Sequence, residues 1–170
     1  WLFDLDNTLY SGKTKVFEQV DKKMSKFISE KLKVNLEEAK KIQKSYFYEY
    51  NTTLNGMIKN HKIDADEFLD FVHDIDVDFL KKDIKLGEEL KKLNGKKIIF
   101  TNGSRKHAIN ITQRIGIDQY FDDIFDIDNT VYSGKTKVFE QVDKRMSKYI
   151  SEKLSVSIEE AKKIQKSYFY

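Results

Sequence analysis

Residues 125–170 repeat residues 3–48 without a gap, and only seven of the 46 positions differ. Both copies open on the same kind of segment, FDLDNTLYSGKTKVFEQV at 3–20 and FDIDNTVYSGKTKVFEQV at 125–142. Equal sequence carries equal local instructions, so any element order begun at residue 3 is begun again at residue 125. Residues 1–2 and 49–124 alone lie outside the two copies. The substitutions are mild. Asn35 becomes Ser157, which preserves a helix cap with Glu160 still three residues on.

Hydrophobic spacing sets the expected elements. Trp1 to Leu5 is a short apolar run ending in acidic residues, which suits the end of a buried strand. Val16, Phe17, Val20, Met24, Phe27, Ile28 and Leu32 fall at three-and-four spacing and predict one face of a helix. Asn35 with Glu38 predicts the start of a second helix, with Ala39, Ile42, Tyr46 and Phe47 as its stripe. Asp64 with Glu67 opens another through Phe68, Leu69, Phe71 and Val72, so the stretch from about 15 to 83 is expected to be all helical. A short helix over Glu88 to Leu93 precedes a strand at 97–101, a helix from Ser104 to Ile115 stopped by Gly116, and a third strand at 124–127. Strand, helical insert, helix, strand, helix, strand is the rhythm of a parallel α/β sheet, in which ligands sit beyond the carboxyl ends of the strands.

Composition removes alternatives. The 31 basic and 28 acidic residues leave a net charge of +3, a weak basis for binding nucleic acid. The Lys-rich helix faces are interleaved with Glu, as solvated faces are. There is no Cys, so thiolate metal sites and disulfides are excluded. No apolar run reaches the roughly 20 residues of a membrane span, and no membrane partner is expected. The opening WLFDLD has neither a basic leader nor an initiating Met, and the expectation is an internal piece of a longer cytoplasmic protein.

Asp4 and Asp6 lie two apart at a strand tip, which places both carboxylates on one side of an extended chain. Such a pair repels itself unless a cation or a shared proton compensates. A divalent cation would also neutralise a phosphate, so that one carboxylate attacks phosphorus while the other manages the proton. Taken alone, Asp-x-Asp-Asn-Thr reads more readily as a turn capping a strand. As a whole, however, FDLDNTLY resembles the first motif of the haloacid dehalogenase-like hydrolase superfamily, hhhDxDxT, and IIFTNGS at 98–104 resembles its second, a strand ending in Thr or Ser. YEYNTTLNG at 48–56 and FTNGSRKHA at 100–108 are similar to the pyrimidine 5′-nucleotidase group.

The resemblance implies an incomplete Rossmann-like core over 1–14 and 84–127, a helical cap over 15–83, and a repeat of 6–48 at 128–170. It implies Asp4 as a nucleophile that becomes an aspartyl-phosphate, and Asp6 as acid and then base. Mg²⁺ is the implied cofactor, held by Asp4 and by Asp6 through its backbone carbonyl. Thr8 would brace the loop, and Thr101, Asn102 and Gly103 would receive the phosphoryl oxygens. The substrate implied is a small phosphate ester, with pyrimidine nucleoside 5′-monophosphates as the narrower class. Asn7 is expected to be a turn residue.

The chain departs from the family after the third strand. A Lys and further acidic residues should follow there, and the repeat stands in their place. Asp126, Asp128 and Thr130 duplicate the first motif on a different strand and are expected to be non-functional. Lys135 and Lys137 are expected to be surface copies of Lys13 and Lys15 and not replacements for the motif Lys. The 170 residues are therefore expected to be impaired as a phosphatase. The competing expectation is a noncatalytic module that self-associates through the duplicated helical hairpin. His61, His73 and His107 lack ligand spacing and are expected to be structural or helix-surface residues, with His107 close enough to Thr101 to line the phosphate pocket.

Overall fold

The computed structural model describes residues 1–126, 151 and 157–160. The chain divides into two compact units, Trp1–Asp126 and Ile127–Tyr170. In the second unit, Ser157 accepts a hydrogen bond from the Glu160 amide at 3.1 Å, the cap expected there. Asp128, Thr130, Lys135, Lys137 and most of the second hairpin lie outside the described residues.

The first unit is α/β. Three short strands, β1 (Leu2–Phe3), β2 (Ile98–Phe100) and β3 (Asp123–Phe125), form a parallel sheet in the order β1-β2-β3. Leu2 pairs with Ile98 and Phe3 with Ile99, while Ile99 also faces Ile124 on the other side. Five helices separate β1 from β2: α1 (Val16–Leu32), α2 (Leu36–Tyr50), α3 (Thr53–His61), α4 (Ala65–His73) and α5 (Ile84–Lys92). One helix, α6 (Arg105–Ile115), joins β2 to β3. Leu5, Leu9, Leu90, Ile99, Ile111 and Ile117 are buried together beneath the sheet edge, which is why the run at the head of the chain becomes a strand with its acidic end at the surface of this core. Among the described residues no helix is long and apolar enough to cross a membrane.

The expected caps form. Asn35 accepts from the Glu38 amide, Asp64 from the Glu67 amide and Ser104 from the His107 amide. Gly116 takes φ 74°, the left-handed turn that ends α6. The short helix before β2 starts earlier than expected, at Ile84, because Asp83 caps it through the Leu86 amide.

Two expectations need correction. Residues 74–83 are not helical. Asp76 accepts from the Asp78 amide at 2.8 Å, a local bond that competes with helix formation. The segment is then tied down from both sides. Gln19 exchanges two hydrogen bonds with the Asp76 backbone, Lys23 pairs with Asp74 at 2.8 Å, and Arg114 of α6 pairs with Asp78. The stripe of α2 is also different, since it buries Ala39 and Gln43 while Ile42, Tyr46 and Phe47 stay half-exposed. Gln43 tolerates burial because it accepts from Ser25 at 2.5 Å and donates to Asp21 at 2.7 Å.

The helical insert packs on aromatic contacts. Phe27 of α1 meets Phe68 and Phe71 of α4 edge-on, with ring centroids 5.0 and 5.4 Å apart. The corner from α2 to α3 closes through Asn51, whose φ is 66°, and Thr52, which caps α3 through the Asn55 amide. Gly56 lies so close to α2 that a Cβ there would come within 2.4 Å of the Tyr46 Cβ. That atom is fixed to the backbone, so the helices would have to separate. Gly56→Ala is therefore expected to destabilise the first unit by about 1–3 kcal/mol, overriding the helix propensity that Ala would otherwise add. Urea unfolding followed by circular dichroism would measure the change.

Candidate active site

The chain leaves β1 at Asp4 and turns at once. The amides of Thr8 and Leu9 both bond to the Leu5 carbonyl, at 3.2 and 2.9 Å, and Asn7 adopts φ 58°. Asn7 is thus the turn residue expected of it, as a short polar side chain that tolerates the left-handed region. The turn brings residues four apart back onto each other. Thr8 donates its hydroxyl to Asp4 Oδ2 at 2.8 Å, and Tyr10 donates to Asp6 Oδ1 at 2.6 Å.

A second loop leaves the same edge of the sheet from β2. Thr101 is buried, and its Oγ1 accepts from the Gly103 amide at 3.0 Å. Gly103 is also buried, whereas Asn102 is exposed. A Cβ on Gly103 would come within 3.1 Å of His107 Cδ2, a tight approach, with His73 Nε2 at 3.5 Å beside it. His107 reaches across to the first loop, with Nε2 2.9 Å from Asp6 Oδ1. The first loop and α6, which follows the second loop, therefore meet at Asp6.

The carboxylates differ in charge preference. Burial pushes the Asp4 carboxyl up to about 6; the Thr8 hydrogen bond opposes this and the charge of Asp6 adds to it. Burial acts on Asp6 in the same sense, but the field and hydrogen bond of His107, with the hydrogen bond from Tyr10, outweigh it and hold Asp6 below its ordinary value. Burial drives His73 down to about 3, so its ring is neutral.

Sequence reasoning placed His107 as a structural residue near Thr101 and passed over Tyr10. Both touch Asp6. Tyr10 had a signal, the four-residue spacing from Asp6 in a segment that turns. His107 had none, because its contact spans 101 positions. The duplicate carboxylate Asp126 is buried at the end of β3, where Arg105 Nε bonds it at 3.1 Å while the same guanidinium reaches Asp123 and the Ile124 carbonyl. The central strand β2 separates it from β1.

Among the described residues no group of three or more His, Cys, Asp and Glu could hold a metal ion. The residues nonetheless suit Mg²⁺, which takes one or two protein oxygens and completes its shell with water and phosphate. The raised Asp4 carboxyl is the group a cation would relieve.

The family model for haloacid dehalogenase-like hydrolases matches residues 2–159. The chain is also 37% identical over 136 residues to Phosphate metabolism protein 8 of Saccharomyces cerevisiae, an alignment covering 73% of this chain and 42% of that protein. The chain thus spans less than half the length of this relative.

Asp4 binds its proton more tightly folded than unfolded, so the fold is favoured below about pH 4 and loses that advantage as pH rises toward 6. At neutral pH the cost is about 3 kcal/mol, from a rise of about two pH units at roughly 1.4 kcal/mol each. Asp4→Asn is expected to raise the Tm at pH 7 in EDTA, with the gain shrinking to nothing near pH 4. Thermal melts across that range would show it.

Proposed function

The chain belongs to the haloacid dehalogenase-like hydrolases, and from that premise we propose that its first unit carries the machinery of a phosphatase acting on a small phosphate monoester. The observation that supports this most is the meeting of two loops at one sheet edge. The first presents Asp4 with its rotation fixed by Thr8, and the second presents Thr101, Asn102 and Gly103.

Asp4 Oδ1 attacks phosphorus in line with the leaving oxygen, and the phosphorus–oxygen ester bond breaks as the aspartyl-phosphate forms. The negative charge of a bound phosphate beside Asp6 favours its protonated form, and Asp6 passes that proton from Oδ2 to the leaving oxygen. It then takes a proton from the water that attacks phosphorus and releases inorganic phosphate. Thr101 already accepts from the Gly103 amide, so its own hydroxyl proton is available for a phosphoryl oxygen. Asn102 stands at the exposed tip of the same loop, where the resemblance puts a second contact to the phosphoryl group. Mg²⁺ on Asp4 and the Asp6 backbone carbonyl would supply neutralisation of the phosphoryl charge when bound. Most of the rate gain in such a transfer comes from positioning and charge compensation.

Nucleoside 5′-monophosphates, pyrimidine ones first, are the substrate class we propose from the resemblance of 48–56 and 100–108. The repeat occupies the place of the Lys and acidic residues that the resemblance puts after β3, and for that reason turnover by the 170 residues is expected below about 1 per second, the low end for ordinary enzymes. Phosphate release from a panel of nucleoside monophosphates with Mg²⁺ would be compared between this chain and Asp4→Asn. Release that disappears in the variant is the expected result. Equal release from both would remove Asp4 from the reaction.

A further inference from the structure

Asp6 is gripped twice by the same oxygen. Tyr10 donates to Oδ1 at 2.6 Å and His107 Nε2 stands 2.9 Å from it. A carboxylate oxygen only accepts, so Nε2 carries the proton. Among the described residues no donor reaches Oδ2. The carboxylate is thus oriented with one oxygen anchored and the other left for chemistry. The His107 side chain is 1% exposed and that of Asp6 18%, so the anchoring side faces the interior.

His107 is itself held from outside its own helix. Its ring stacks on His73, with centroids 4.3 Å apart and planes 16° from parallel. Ser104 accepts from the His107 amide at 3.2 Å, and its hydroxyl also lies 3.1 Å from His73 Nδ1. His73 is the last residue of α4, and α4 belongs to the helical insert. The imidazole that orients Asp6 is therefore packed against a ring carried by the insert.

We infer that His107 is a positioning residue for Asp6, fixing Oδ1 so that Oδ2 faces the leaving oxygen, and that the His73 stack makes this placement depend on the seating of the insert. The inference rests on the acid and base role proposed for Asp6.

The test uses the full chain with ¹³C-carboxyl-labelled Asp, the Asp6 signal being assigned through Asp6→Asn. In His107→Gln the side-chain amide stands near the position of Nε2, and in His107→Asn it falls short. The expected result is an Asp6 signal close to the unmodified chain in the Gln variant and displaced in the Asn variant. His73→Ala is expected to displace it in the same direction. The remaining Asp signals report whether each variant is folded. Equal Asp6 signals in the Gln and Asn variants would overturn the positioning role, and an unmoved signal in His73→Ala would overturn its dependence on the insert. Turnover adds a second readout. His107→Asn should lower kcat on a nucleoside monophosphate at least tenfold more than on 4-nitrophenyl phosphate, whose leaving group needs no proton, with KM unchanged. Equal loss on both substrates would count against the inference. A chain that turns over neither substrate speaks against the phosphatase reading alone, since the carboxyl signal decides the positioning role by itself.

Discussion

Two carboxylates placed two residues apart at a sheet edge repel one another, and the first unit is organised around that repulsion. Asp6 is stabilised as an anion by Tyr10 and His107. Among the described residues Asp4 receives one side-chain hydrogen bond, from the Thr8 hydroxyl, and its carboxyl is raised to about 6. The two carboxylates thus differ in proton affinity, Asp4 holding a proton more tightly than Asp6 until a cation or a phosphate changes the local charge. The arrangement also couples distant parts of the chain. The donors on Asp6 come from the β1 loop and from α6, and α6 leans on the end of the insert through His73.

The insert is built to be seated firmly. Its exit at 74–83 abandons helix geometry and is laced to α1 by Gln19 and Lys23 and to α6 by Arg114. The stretch that carries the narrower resemblance, 48–56, forms the corner between α2 and α3. Asn51 takes the left-handed turn, Thr52 caps, Thr53 donates to the Gln43 carbonyl, and Gly56 admits Tyr46. Those residue types serve helix packing, whatever the insert recognises.

The repeat offers an internal comparison. Asp4 and Asp126 each stand in the sequence Phe-Asp-x-Asp-Asn-Thr. At the end of β1 the first Asp is raised by burial and steadied by a hydroxyl. At the end of β3 its counterpart is ion-paired with Arg105, which opens α6. Near-identical neighbours in sequence do not give identical chemistry, since the charges that decide it arrive from other elements.

The sequence by itself determined the three strands, the order of strand and helix, and the helices that start at Asn35, Asp64 and Ser104, but not the separate α3 or the non-helical stretch at 74–83. Spacing of apolar residues and the caps at Asn35, Asp64 and Ser104 act over three or four positions, and such signals survive in one dimension. The acidic doublet, Thr8 and the Thr101 loop were visible for the same reason. Only the tertiary structure decided how the doublet is managed. His107 meets Asp6 across 101 residues, His73 meets His107 across the join between insert and sheet, and Gln43 is buried because Ser25 and Asp21 happen to face it. Contacts of that kind depend on how helices pack and leave no periodic trace, so no local pattern could have announced them.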